Sequence, residues 1–220
     1  MSEKLLKNKK ILVTGGPVWV PIDKVRVMTN IFRGSLGLKI AIKAAEMGGA
    51  VVFLLGPGRI DVPKNLPKNL KIVRFKFFDE LLDLMKKEIL LNRCDIVVHS
   101  AAVSDYAPEK IYNGKIKSGK DELVIKFKPT VKIIDLIKKW NSSVILVKFK
   151  LEVGLSKKEL IDTAYKSMVY SGADLIVANG FRGIKGEHKA FIIDNDKNII
   201  NCNGKSVIAR KLLFKIKNLL

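Results

Sequence analysis

Cysteine and histidine are scarce in these 220 residues, with two of each: Cys94 and Cys202, His99 and His188. Two cysteines are too few for a disulfide framework or a zinc site. They read as buried or incidental thiols in a reducing compartment, so a cytoplasmic location is expected. Long apolar runs are also missing. The stretch "AVVFLLG" (50–56) falls far short of the roughly 20 residues that cross a bilayer, so no membrane partner is expected. The N-terminus "MSEKLLKNKK" is charged and lacks the apolar core of a secretory signal. Acidic residues are few, 21 against 41 basic ones, which leaves a net charge of +20. Such an excess attracts nucleic acid, draws polyanionic small molecules into a positive cleft, or simply covers solvated helix faces. The lysines are spread along the whole chain without interleaved aromatics. No helix-turn-helix, zinc-finger or RNP-like string accompanies them, so nucleic acid is not the expected partner.

What is present is a hydrophobic content of 48%, enough for a substantial core. Strand-like runs alternate with amphipathic segments: "KILVT" (10–14), a helix over 34–49, "AVVFLLG" (50–56), "LKIVRF" (70–75), a helix over 79–91, then "CDIVVHSA" (94–101). The alternation resumes with a helix after Pro129 capped by Thr130, the strand "SVILVKFKL" (143–151), and a helix opened by the Ser156–Glu159 capping box. It closes with "DLIVAN" (174–179), a hairpin about Asp194–Lys197, and a helix from Gly204 onward. This pattern predicts an α/β, Rossmann-like three-layer domain with a mainly parallel sheet, occupying 1–220 as a single unit. It breaks at 109–128, where "KIKSGKDELVIKFK" (115–128) predicts an inserted β-hairpin or flap turning at Ser118–Asp121.

The dinucleotide fingerprint is absent. "ILVTGGPVWVPID" (11–23) starts like one, but Gly15-Gly16 is followed by two prolines and β-branched residues that cannot begin a helix. The second strand ends in Gly56-Pro57-Gly58 with no acid to hold a ribose. NAD(P) is therefore not expected, and no Tyr-x-x-x-Lys pair supports a short-chain reductase, Tyr165 and Lys166 being adjacent. No nucleophile elbow accompanies either histidine. His99, at the end of a buried strand, reads as structural ahead of catalytic, and His188 as exposed. In place of the fingerprint stands a long loop (15–33) carrying Asp23, Arg26, Thr29, Asn30 and Arg33 at the carboxyl end of a parallel sheet, where α/β folds place ligands. Gly34, Ser35 and Gly37 then open a helix whose free amides favour phosphate; the competing reading is that the glycines only permit close packing.

Three ordered segments go further: "TGGPVWVPIDKVRVMTNIFRGSLG", "HSAAVSDYAPEKIYNGKIKSG" and "LVKFKLEVGLSKKELIDTAYKSMVYSGADLIVANG". Together they resemble the phosphopantothenoylcysteine synthetase (phosphopantothenate–cysteine ligase) family of coenzyme A biosynthesis, over about Lys10 to Gly180. The resemblance implies a ligase that activates 4′-phosphopantothenate with CTP or ATP and Mg²⁺ to an acyl-nucleotidylate, which the amine of L-cysteine then attacks. It implies Lys115 as the lysine neutralising the phosphates, assisted by Lys117 or Lys120, and Asn30 as an amide acting on the intermediate. Gly15, Gly16, Arg33, Gly34 and Ser35 would meet nucleotide or phosphate. Ala101, Ala102 and Asp105 would lie along the nucleotide, Phe149 beside its base, and Ala178 with Asn179 at the floor of the substrate site. The competing readings are a core position for Phe149, a turn cap for Asn179, and solvated lysines for the hairpin.

The metal ligands are not identified by this resemblance. It further implies a homodimer in which the insertion reaches the neighbouring site. No flavin is expected, the flavin-dependent decarboxylase being a separate domain or partner. Two departures stand out: Val18-Trp19 where many relatives have Thr-Arg or Ser-Glu, and Phe32-Arg33 where they have small hydroxyl residues. The alternative reading is a non-catalytic nucleotide- or nucleic-acid-binding protein on the same scaffold.

Overall fold

A computed structural model describes residues 4–119, 121–181 and 188–220. Strand β1 (Lys10–Gly15) leads through a small ribbon, β2 (Val20–Pro21) and β3 (Val27–Met28), into α1 (Ser35–Glu46). Then follow β4 (Ala50–Leu55), β5 (Leu70–Arg74), α2 (Phe78–Leu90) and β6 (Ile96–His99). A second ribbon, β7 (Tyr106–Pro108) with β8 (Phe127–Pro129), precedes α3 (Ile134–Trp140). The chain ends with β9 (Ile145–Val153), α4 (Lys157–Ser171), β10 (Leu175–Phe181), β11 (Lys189–Asp194), β12 (Ile199–Asn203) and α5 (Lys205–Lys217).

Eight strands form one sheet in the order β12-β11-β10-β9-β6-β1-β4-β5, parallel from β5 to β10 and antiparallel at β11 and β12. The six parallel strands keep the doubly wound order 3-2-1-4-5-6. Because helices cover both faces, consecutive apolar residues in the middle of the strands divide between two cores. Ile11, Val13, Phe53, Val98 and Val177 pack with Ile40, Ala44 and Leu212 of α1 and α5. Leu12, Leu54, Val97, Leu146 and Ile176 pack with Leu81, Ile137 and Met168 of α2, α3 and α4. The expected three-layer α/β class is the one observed. No described helix is long and apolar enough to cross a membrane.

Two local expectations change. The insertion is closed by a hairpin ladder, but its strands are 106–108 and 127–129, not the arms of a turn at 118–121. Residues 111–119 and 122–126 carry no strand, and Lys120 lies outside the described residues. Of "ELVIKFK" (122–128) only Phe127 and Lys128 enter a strand, paired with Pro108 and Ala107. Thr130 does not cap α3, which begins at Ile134. Its hydroxyl donates to the Ser104 carbonyl (2.7 Å) and its amide to the Asp105 carbonyl (2.9 Å), so it fastens the foot of the insertion. The Ser156–Glu159 capping box forms as expected.

Candidate active site

Connections diverge at β1 and β6. The chain leaves β1 toward β4 on one side and β6 toward β9 on the other, which opens a crevice at their carboxyl ends. Gly15 and Gly16 end β1, and the segment from Ser100 follows β6. Short-range bonds knit the two together. The Ser100 hydroxyl donates to the Thr14 carbonyl (2.5 Å), the Ala101 amide to Thr14 Oγ1 (3.1 Å) and the Ala102 amide to the Gly16 carbonyl (2.9 Å). The Ala102 carbonyl in turn accepts from the Val18 amide (3.2 Å) and from Asn30 Nδ2 (3.1 Å). Asn30 is thereby brought onto the segment carrying Ala101 and Ala102 across 72 residues of chain, its second amide hydrogen having no acceptor among the described residues.

Backbone lies directly on backbone here, which explains the glycines. Gly34 has φ +88°, and a Cβ there would stand 2.7 Å from the Gly16 nitrogen and 2.9 Å from its Cα. At Gly56 a Cβ would meet the Pro17 carbonyl oxygen at 2.0 Å. The ends of β1 and β4 and the start of α1 converge because none of these residues carries a side chain. Gly15, Gly16 and Gly34 therefore have a packing role whatever they bind, and so does Gly37, where a Cβ would stand 3.1 Å from the Gly15 Cα; for Gly34 and Gly37 this is the competing reading.

At the start of α1, Ser35 Oγ accepts from Lys205 Nζ at 2.7 Å, a contact across 170 residues supplied by the first residue of α5. Burial, then Lys39 and Arg33, push the Lys205 amine below its ordinary value. Burial and Lys205 push exposed His188 the same way, and its carbonyl accepts the Gly204 amide at 2.8 Å. The first turn of α1 holds no acid, and among the described residues no ion pair joins Arg33, Lys39 or Lys205 to a carboxylate. Three cations of one sign thus surround an uncapped helix start, an arrangement that favours an anion.

The insertion meets the long loop at Asp23, which is buried with its side chain wholly enclosed. Its carboxylate accepts from the amides of Val25 (2.8 Å), Arg26 (2.8 Å) and Ile116 (3.0 Å) and from the Arg26 guanidinium (2.9 Å). The Ile116 amide, ahead of the Val25 and Arg26 groups, holds the carboxyl below its ordinary value against the opposing effect of burial. Ile116 is buried between exposed Lys115 and Lys117.

The remaining expected residues are placed unevenly. Asp105 is exposed and faces Lys132 at 3.7 Å, outside the knit of bonds around Ala102. Phe149 is half-buried against the α1–α5 core. Ala178 is fully buried in the opposite core, so its side chain has no accessible surface to offer a ligand. Adjacent strand positions alternate faces, which puts Asn179 on the Phe149 side. Its Oδ1 is buried without a partner among the described residues, a penalty of about 1–3 kcal/mol that a ligand donor would remove. His99 is structural in its contacts: Nδ1 bonds Thr14 Oγ1 at 3.0 Å, and burial, then Lys148, push it down to about 4. It is neutral at pH 7 and orients the hydroxyl that receives the Ala101 amide.

The unexplained pair Val18-Trp19 has a packing answer. Val18 is 1% exposed in the α2–α4 core. The Trp19 amide donates to the Lys76 carbonyl (2.8 Å), and its ring meets Phe77 edge-on at 6.3 Å. Sequence reasoning missed Lys205 as a site residue because it lies beyond the resembling segments and looks like one more helix-face lysine. It missed Asp23 as a fastening because its partner is 93 residues away.

Residues 6–220 match the family described as the DNA/pantothenate metabolism flavoprotein C-terminal domain. The coenzyme A biosynthesis bifunctional protein CoaBC of Thermococcus kodakarensis is 37% identical over 193 residues, covering 88% of this chain and 46% of that protein. This chain therefore spans about half the length of that curated relative. Among solved structures, the DNA/pantothenate metabolism flavoprotein from Streptococcus pneumoniae superposes with a TM-score of 0.86 at 30% identity, covering 96% of this chain and all (100%) of that one. The C-terminal domain of a CoaBC protein superposes with a TM-score of 0.80 at 26% identity, covering 99% and 98%.

Proposed function

This chain belongs to the family of the DNA/pantothenate metabolism flavoprotein C-terminal domain, the phosphopantothenoylcysteine synthetase family, and on that premise we propose that it joins 4′-phosphopantothenate to L-cysteine. The observation that carries the reading is the crevice at the β1/β6 divergence. Asn30 and the Ala101–Ala102 segment meet there, while Arg33, Lys39 and Lys205 at the start of α1 have no carboxylate partner among the described residues.

In the first step a carboxylate oxygen of phosphopantothenate attacks the α-phosphorus of CTP or ATP, and pyrophosphate leaves. The cysteine nitrogen then attacks the acyl carbon. The acyl carbon–oxygen bond breaks, the nucleoside monophosphate departs with its electrons, and the amine loses a proton. Neither step needs a covalent nucleophile on the protein; both need cations and donors fixed where negative charge grows. Lys115 answers the charge of the leaving pyrophosphate, with Lys117 beside it. Arg33, Gly34 and Ser35 meet phosphate, and the free amide hydrogen of Asn30 donates to the oxyanion formed as cysteine attacks. Phe149 takes the base of the nucleotide, Asn179 lies at the floor of the substrate site, and Asp105 reaches the nucleotide from the insertion side. Among the described residues no group of three or more acids, histidines or cysteines is placed to hold a metal, so magnesium would enter on the nucleotide's phosphates. Exposed Ile111, Leu123, Val124 and Phe127 of the insertion suit contact with a second copy of the chain.

Incubation with phosphopantothenate, L-cysteine, Mg²⁺ and CTP or ATP should release pyrophosphate and form the amide. Absence of pyrophosphate with every nucleoside triphosphate would sink the proposal. Oligonucleotide binding that weakens steeply with salt, without turnover, would favour the non-catalytic alternative. Asn30→Asp should keep the first half-reaction and lower ligation by about 100-fold. A thermal-shift panel of CTP, ATP, GTP and UTP with Mg²⁺ selects the nucleotide.

A further inference from the structure

Both oxygens of Asp23 are fully engaged. Oδ1 accepts two backbone amides, and Oδ2 accepts the Ile116 amide and the Arg26 guanidinium. An enclosed carboxylate with four donors has no lone pair left for a substrate or metal, so any effect on chemistry must pass through what it holds. What it holds is the insertion. The Tyr112 amide donates to the Ile22 carbonyl (3.0 Å), the Lys24 amide to the Gly114 carbonyl (3.3 Å), and the Arg26 guanidinium reaches the Ile116 carbonyl (3.4 Å). Residues 112–116 are thus bound at every second position, Tyr112, Gly114 and Ile116, to the loop that leads to Asn30. Beyond Ile116 the next hydrogen bond among the described residues is at Lys126, whose carbonyl accepts the Glu109 amide (2.9 Å). The fastened stretch contains Lys115; Lys117 stands just outside it.

We infer that Asp23 is the positioning residue for Lys115, and that Lys115 is set in place before any ligand arrives while Lys117 lies outside the fastening. This rests on the reading of Lys115 as the lysine that neutralises the leaving phosphates. It gives a structural reason for the different parts taken by Lys115 and Lys117. The neighbouring Ile116 side chain, 8% exposed, adds an apolar plug beside the carboxylate, so water does not compete for these bonds.

The test is a double-mutant cycle on pyrophosphate release with Asp23→Asn and Lys115→Ala, each run with hydrogen exchange read at the Ile116 amide. Asp23→Asn keeps the shape but replaces one carboxylate oxygen by an NH2 donor, which then faces two of the four donors. Turnover should fall about 100-fold, the scale of a small misplacement of a reacting group. Exchange at residues 112–116 should quicken with the main sheet still protected. In the Lys115→Ala background the same change should cost almost nothing further. If the two losses multiply, Asp23 does not act through Lys115 and the inference falls while the proposed function stands. If Lys115→Ala is fully active, the reading of Lys115 falls and takes the inference with it. Should Asp23→Asn fail to fold, Arg26→Gln keeps three backbone donors on Asp23 and removes the guanidinium that ties both the carboxylate and the Ile116 carbonyl. It should show the same non-additivity at smaller size, and additive losses there overturn the inference equally.

Discussion

Replacing Gly34 by alanine probes the closest backbone approach in the candidate site, and Gly172→Ala supplies its control. Both residues are left-handed, with φ +88° and ψ 7° at Gly34 and φ 64° and ψ 23° at Gly172. A Cβ in that conformation is unfavourable by about 1–2 kcal/mol at either position, partly offset by the lower entropy of the unfolded chain. The surroundings differ. The nearest atom to a Cβ at Gly172 is Lys138 Cγ at 3.8 Å, an ordinary contact. At Gly34 the new methyl meets Gly16 backbone atoms at 2.7 and 2.9 Å, and no side chain can rotate away. Relief requires parting the loop from the end of β1, an overpacking term of about 1–3 kcal/mol. Gly34→Ala should therefore destabilise by about 2–5 kcal/mol and Gly172→Ala by about 1–2 kcal/mol, combining these two terms. Urea titrations with matching m-values give both numbers. Parting the loop should also weaken nucleotide binding for Gly34→Ala alone. Equal destabilisation by the two changes would refute the backbone-on-backbone account of this site.

His99 adds a pH dependence. Its folded value near 4 lies below the unfolded value of about 6.5, so the unfolded chain binds the proton first and stability falls as pH drops through that window. The loss approaches about 3 kcal/mol at pH 4, and His99→Asn should flatten that part of a stability–pH curve; an unchanged curve would mean another group titrates there. Asp23 acts in the same direction at lower pH, since its lowered value makes its contribution present above the unfolded value and lost as pH falls through the folded one. Ser156→Ala removes an acceptor for the Glu159 amide and should lower stability by about 1 kcal/mol in urea titration, with no change in turnover.

Much of the scaffold was legible because it rests on local pattern. The apolar runs marked the strands to within a few residues, and the capping box at Ser156 marked the start of α4 because both partners lie three residues apart. The motif-bearing residues Asn30, Gly34, Ala101 and Ala102 were named in advance, and folding brings them to one crevice. The insertion was misjudged where periodicity stood alone. "ELVIKFK" alternates like a strand, yet residues 122–126 lie outside any ladder and only Phe127–Pro129 pair, with Tyr106–Pro108. Thr130 looked like a helix cap because such residues usually are, but its hydroxyl found a nearer acceptor in Ser104.

By itself the sequence determined the class of the domain, the absence of the dinucleotide turn and the family, since each depends on residue type and spacing along the chain. Tertiary structure alone decided which cations gather at α1, why Val18 and Trp19 are tolerated, and where the insertion is tied. Lys205 reaches Ser35, Trp19 reaches Phe77 and Asp23 reaches Ile116 only after eight strands have been set in register. Those contacts depend on distance in space, and strand order, which places the carboxyl ends of β1 and β6 side by side, is what converts one into the other.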